Sequence, residues 1–139
     1  MRLKNEDGWS LGEVASLCII CLAVLVSVYA LRIDTYGNNA KVYFGISAAL
    51  DLSDDEKTML KPMVAQQLRI LIDNARNAEL AESALGNRND ISPATADKAV
   101  AELRAAQAKK KEAARNLNRA CKTARYFSFI PPKDSEWCK

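Results

Sequence analysis

Histidine is absent from this 139-residue chain. The side chain that titrates nearest neutral pH, and the commonest metal ligand, is therefore missing. Glycine and proline are scarce, at five and four residues, and no glycine-rich phosphate loop occurs. Aromatic residues make up 6% of the chain, too few to build a stacking platform for nucleic-acid bases. Acidic and basic residues nearly balance, 17 against 20, so no field of one sign covers the whole chain. The acidic groups fall on helix faces and at helix starts. These shortages leave catalysis without a foothold: no catalytic residue, cofactor, metal site or nucleic-acid partner is expected. No internal repeat or low-complexity linker is present.

What the chain does have is one long apolar run. Val14 to Leu31 carries no charge. About 20 such residues at ~1.5 Å rise each match a hydrocarbon core of ~30 Å, so a single transmembrane helix is predicted over 9–32. Ser10-Leu11-Gly12-Glu13 fits a capping box at its start, with Trp9 and Tyr29 suited to the two headgroup belts. Val28-Tyr29-Ala30 also suits a signal peptidase, but the run is long for a signal peptide and retention is expected. Cys18 and Cys21 lie three apart within the run and read as apolar filler, because free cysteine behaves as a small hydrophobe.

Gly8, the aromatic Trp9, and Glu13 at the fifth position after that glycine, followed by the apolar run, resemble the processing site of type IV prepilins and pseudopilins. The resemblance covers about a fifth of the chain. It implies cleavage between Gly8 and Trp9, methylation of the new N-terminus, and a docking role for Glu13 against a neighbouring subunit's terminal amine. The leader carries Glu6 and Asp7 beside Arg2 and Lys4, and Gly12 replaces the bulky aliphatic residue of that family.

The remainder divides into a connector over 33–52, a helical hairpin over 53–127 and a tail over 128–139. Tyr36-Gly37-Asn38-Asn39 reads as a turn. Tyr36, Ala40, Tyr43 and Ser47 also recur at helical spacing, while Lys41 to Ile46 suits a short strand. Ser53 and Glu56 form a capping box for a helix from about Asp54 to Leu85, with Pro62 expected to kink it and Gly86 to stop it. Ser92-Pro93 opens a second helix running to about Phe127. Its seam is Ala96, Ala99, Leu103, Ala106, Lys110, Ala113, Leu117, Ala120, Ala124 and Phe127, alternating three and four apart. The first helix answers with Val64, Leu68, Leu71, Ala75, Ala78, Glu82 and Leu85. Leu103 and Leu117 should then be buried against Leu71, Leu68 and Val64. Ile70 and Ile72 widen the apolar face, which asks for a further cover from connector, tail or partner.

Asp54, Asp55 and Glu56 are expected beside Arg119, Lys122 and Arg125 once the chain folds about Asn89. Lys109-Lys110-Lys111 reads as a solvated face, with Lys110 burying only its stem, and attraction to anionic lipid or cell-wall polymers is the lesser alternative. Cys121 and Cys138 suit a disulfide in an oxidising compartment, or a pair of free thiols.

The expectation is an all-α, single-pass membrane protein whose short N-terminal segment, 1–8, stays cytoplasmic and whose helical part lies outside. Lipid and other protein subunits are its expected partners. Three non-enzymatic roles fit: a pilin-like or pseudopilin-like filament subunit, an accessory subunit docking through its hairpin, or a protein similar in plan to a phage inner-membrane spanin.

Overall fold

The structure is a computed structural model that describes residues 11–89, 92–130 and Cys138. Among these residues all regular structure is helical: α1 (Leu11–Phe44), α2 (Asp54–Gly86) and α3 (Ala96–Tyr126), with no strand. The chain divides after Tyr36 into two compact units, Met1–Tyr36 and Gly37–Lys139.

Helix α1 is longer than the apolar run that begins it. It passes through Tyr36-Gly37-Asn38-Asn39, so the expected turn does not form, and Lys41–Phe44 is helical rather than a strand. The 33–52 connector therefore shrinks to the loop 45–53. Burial explains the difference. Ala40 and Phe44 sit one turn apart and are both buried in the second unit, and the Tyr43 hydroxyl donates to Asn116 Oδ1 at 3.2 Å. These gains outweigh the ~1 kcal/mol by which glycine disfavours a helix interior. The helix ends where Gly45 turns to φ 70° and its N–H donates to the Lys41 carbonyl at 3.0 Å.

Helix α2 opens on a full capping box. The Ser53 N–H donates to Glu56 Oε2 at 2.8 Å, the Ser53 hydroxyl donates to the same oxygen at 2.7 Å, and Glu56 N–H donates to Ser53 Oγ at 3.3 Å. The Ser53 hydroxyl, then the Ser53 backbone amide, hold the Glu56 carboxyl below its ordinary pKa of 4.5. The helix continues through Pro62, whose ring nitrogen cannot donate to the Thr58 carbonyl. Gly86 is its last residue and Asn87 caps it.

Helix α3 starts three residues later than Pro93. Ser92 N–H donates to Thr95 Oγ1 at 3.2 Å and Thr95 N–H donates to the Ser92 carbonyl at 3.0 Å, so a closed turn precedes the helix. At its far end Ser128 adopts φ 59°, and Phe129 N–H donates to the Ala124 carbonyl at 2.8 Å. With Ser128 N–H on the Arg125 carbonyl at 3.0 Å, this is a Schellman closure built on serine in place of glycine.

Helices α2 and α3 contact each other. Arg88 pairs with Glu102 at 3.2 Å and Lys110 with Glu82 at 2.7 Å, so the pairs step in opposite directions along the two helices. Continued at the same step, Leu85 falls near Ala106, Leu117 near Ala75 and Leu68 near Ala124, large against small. Val64 and Leu68 are buried, as are Ala106, Ala120 and Ala124, whereas Leu71, Leu103 and Leu117 are half-buried.

This register corrects one expectation. Leu103 lies beside Glu102, on the far side of the Lys110–Glu82 pair from Leu71, Leu68 and Val64. Leu71 alone is roughly 16 Å along α2 from Glu82 at 1.5 Å per residue. Leu103 therefore cannot pack on those three residues. Ile70 remains exposed and Ile72 half-buried, whereas Val64 and Leu68 are buried.

Two outcomes follow from this packing. Leu68→Ala, at 5% exposure, should lower unfolding stability by about 2–5 kcal/mol in denaturant titration of the detergent-solubilised chain. Leu103→Ala should cost under about 2 kcal/mol, because Leu103 is only partly buried and loses less apolar contact. Equal losses would place the core elsewhere.

The capping box gives a pH signature. A folded-state pKa below the ordinary value contributes stability above that value, and the contribution is lost as pH falls through the lowered one. The Glu56 amide resonance should titrate below the ordinary carboxylate range, and Ser53→Ala should move its midpoint upward. An unchanged midpoint in Ser53→Ala would show that Ser53 does not hold the carboxylate.

Candidate functional site

Two regions carry the features expected to matter: the start of α1, and the part of the second unit where the end of α1 and Cys138 meet α3 and the residues that follow it. Gly8 and Trp9, the expected processing residues, lie outside the described residues, as does Ser10. Glu13 stands in the first turn of α1, exposed, where a carboxylate complements the positive end of the helix dipole.

From Gly12 to Arg32 every side chain of α1 is exposed. The helix is long and apolar enough to cross a membrane, by length and composition. Two of its hydroxyls are satisfied within the helix: Ser27 donates to the Ala23 carbonyl at 2.8 Å and Thr35 to the Leu31 carbonyl at 2.7 Å. Such bonding removes the cost of placing a hydroxyl where no water can reach it. Cys18 and Cys21 are exposed free thiols on this helix.

The second region is built from small and aromatic side chains. Ala40 and Phe44 of α1, Ile46 and Ala49 of the loop, and Val64 and Leu68 of α2 are buried, as are Ala120 and Ala124 of α3. Alanines on α3 let the other elements approach closely, and aromatic rings close the end. Phe44 meets Phe129 edge-on at 6.5 Å between centroids, and Phe127 lies 6.0 Å from Phe129. Thr123 is fully buried, its hydroxyl donating to the Arg119 carbonyl at 2.8 Å.

Cys121 and Cys138 are joined by a disulfide with a Cα–Cα distance of 5.5 Å, which fits ordinary disulfide geometry. The Arg125 guanidinium donates to the Cys138 carbonyl, a second tie between α3 and the tail. Arg125 is thus committed to the tail. Contrary to the expected pairing of charge clusters, the described ion pairs joining α2 to α3 fall at Arg88–Glu102 and at Lys110 with Glu82 and Glu79.

Lys110 does more than shelter its stem. It interrupts the α3 seam where Glu82 interrupts the α2 seam, and the two meet. The Glu82 hydrogen bond and charge hold the Lys110 ammonium above its ordinary pKa. Both interruptions were visible in the heptads; their pairing needed the register. Tyr43–Asn116 and Arg125–Cys138 had no such signal, because each joins segments of unrelated pattern.

Between α2 and α3 a shallow groove is lined by Leu71, Asn74, Lys109, Glu112, Ala113 and Asn116. It lies open, without a buried nucleophile or base. Among the described residues no three His, Cys, Asp or Glu side chains gather as a metal site would require. No protein-family model matches this chain, and no curated protein or solved structure is similar to it.

The disulfide closes a loop of 17 residues, for which loop entropy alone predicts about 3 kcal/mol. Cys138→Ser should lower stability by that order in oxidising buffer, and reduction of the native chain should lower it equally. A Cys138→Ser protein as stable as the oxidised native chain would assign the closure to Phe44, Phe127 and Phe129 alone.

Proposed function

We propose that this chain is a non-enzymatic structural subunit anchored by one membrane-spanning segment within α1, and that α2 and α3 form an antiparallel hairpin that docks on partner subunits. The observation that carries this reading is the divided character of α1. Its first part exposes only apolar and small side chains over Val14–Leu31, while Ala40 and Phe44 near its end are buried. An apolar surface of that length is far larger than the few hundred Å² that soluble monomers leave in water. Lipid is the natural cover for it. The N-terminus is read as cytoplasmic and the helical unit as external, because disulfides persist in oxidising compartments.

Within that class, a pilin-like or pseudopilin-like filament subunit is the specific reading. It draws on the Gly8-Trp9-Ser10-Leu11-Gly12-Glu13 resemblance, on a long first helix, and on a disulfide near the C-terminus. The helical body favours a second reading, an accessory subunit of a larger membrane complex, because pilins pack their first helix on an antiparallel sheet. A spanin-like role loses support from the intrachain bond, which occupies Cys138.

The mass of membrane-extracted protein separates these readings. Loss of Met1–Gly8 with one added methyl group supports the filament subunit; intact Met1 favours the accessory subunit. Glu13→Ala should leave membrane insertion intact and reduce co-purification with the parent assembly. If incorporation is unchanged, Glu13 serves only the helix start.

A further inference from the structure

Helix α3 packs on one side only, and its other side is basic. Arg104, Lys111, Arg115 and Lys122 recur after roughly two, three and five turns, so they fall in one narrow row along the helix. The buried and half-buried residues Ala106, Ala113, Leu117, Ala120 and Ala124 lie on the opposite side. All four cations are exposed, and among the described residues no ion pair engages them. Arg119 flanks the row, and Glu112 is the one acidic residue of α3 beyond Glu102. The row runs straight for roughly 27 Å at 1.5 Å per residue.

We propose that this row docks α3 on the anionic headgroups of a lipid bilayer, by charge and without insertion. The inference rests on the reading of α1 as a membrane anchor, which keeps a headgroup surface within reach of the helical unit. Its chemistry fits that occupant. The side chains flanking the cations are small or polar, such as Ala105, Gln107, Ala108 and Asn118, with no bulky apolar group among them to enter the acyl region. From Arg104 to Lys122 no aromatic side chain separates the cations, and the exposed Tyr126 one turn beyond them is a single ring, short of the series of rings that single-stranded nucleic acid would need. A straight row of point charges suits a flat sheet of phosphates. Salt must weaken such contact, since the screening length falls from ~10 Å at 0.1 M to ~3 Å at 1 M.

The test uses the full chain reconstituted in lipid nanodiscs, either of phosphatidylcholine alone or with one quarter phosphatidylglycerol. Acylation rates of individual lysines are read by mass spectrometry. A headgroup potential of about −30 mV raises local protonation roughly three-fold, so Lys111 and Lys122 should react about three-fold more slowly in the anionic discs. Lys61 on α2 should not change, and salt near 1 M should abolish the difference. Arg104→Gln with Arg115→Gln should weaken the protection while leaving the helical circular dichroism unaltered. Equal rates in both discs, or equal slowing of Lys61, would overturn the proposal. Protection by duplex DNA in neutral discs, with none from phosphatidylglycerol, would overturn it in favour of a nucleic-acid surface. Failure of the chain to remain with neutral discs would count against the anchor separately. The same lysine comparison, made with neutral and anionic vesicles added to the free chain, then decides the α3 surface.

Discussion

The burial of Ala40 and Phe44 at the end of α1, with Phe44 against Phe129 and Tyr43 bonded to Asn116, is the contact on which the second unit depends. It continues α1 past a glycine and two asparagines, because those residues lie on turns whose neighbours gain a buried surface. It also gives α3 and the residues that follow it a further segment to pack on. A two-helix contact seamed mainly with alanine buries little apolar area for its length. Adding Phe44, Ile46 and Ala49 concentrates the core at one end, and apart from Ala106 the remaining seam toward Arg88 and Glu102 is only half-buried.

The closures gather at the same end. The serine-based Schellman turn at Ser128 directs Phe129 back onto Phe44, and the disulfide with the Arg125 bond ties Cys138 to α3. A residue in the left-handed region costs roughly 1 kcal/mol or more when it carries a Cβ. That cost is tolerable where the turn it permits seats an aromatic ring. At the other end the Lys110–Glu82 pair sets the register with little net stabilisation, since pairs this exposed are screened by water. The stable end and the loose end are thus distinguished by what fills the seam, aromatic rings or ions.

This asymmetry bears on the proposed role. A subunit that must dock on partners benefits from one well-packed end and an adaptable remainder. Ile70, Met59 and Leu80 remain exposed on α2, while α3 presents cations. The two helices therefore offer chemically different faces to their surroundings.

Much of the organisation was legible in the sequence because it is local. The capping box at Ser53 and Glu56, the glycine stop at Gly86 and the apolar run Val14–Leu31 each depend on residues within a few positions of one another. The heptad seams were also readable, since each is a periodicity of one helix. The start of α3 was misjudged because Ser92 and Thr95 bond to each other, a competition that residue preferences do not rank. The continuation of α1 to Phe44 was decided by tertiary burial against a contrary local signal, and so was the place of Leu103, which followed from an ion-pair register and not from its apolar character. By itself the sequence determined that Val14–Leu31, α2 and most of α3 are helical and where their apolar residues recur, because backbone capping and side-chain period are short-range. Only the tertiary structure decided which apolar residues find a partner, because that depends on register and on a third element whose own sequence argued for a turn.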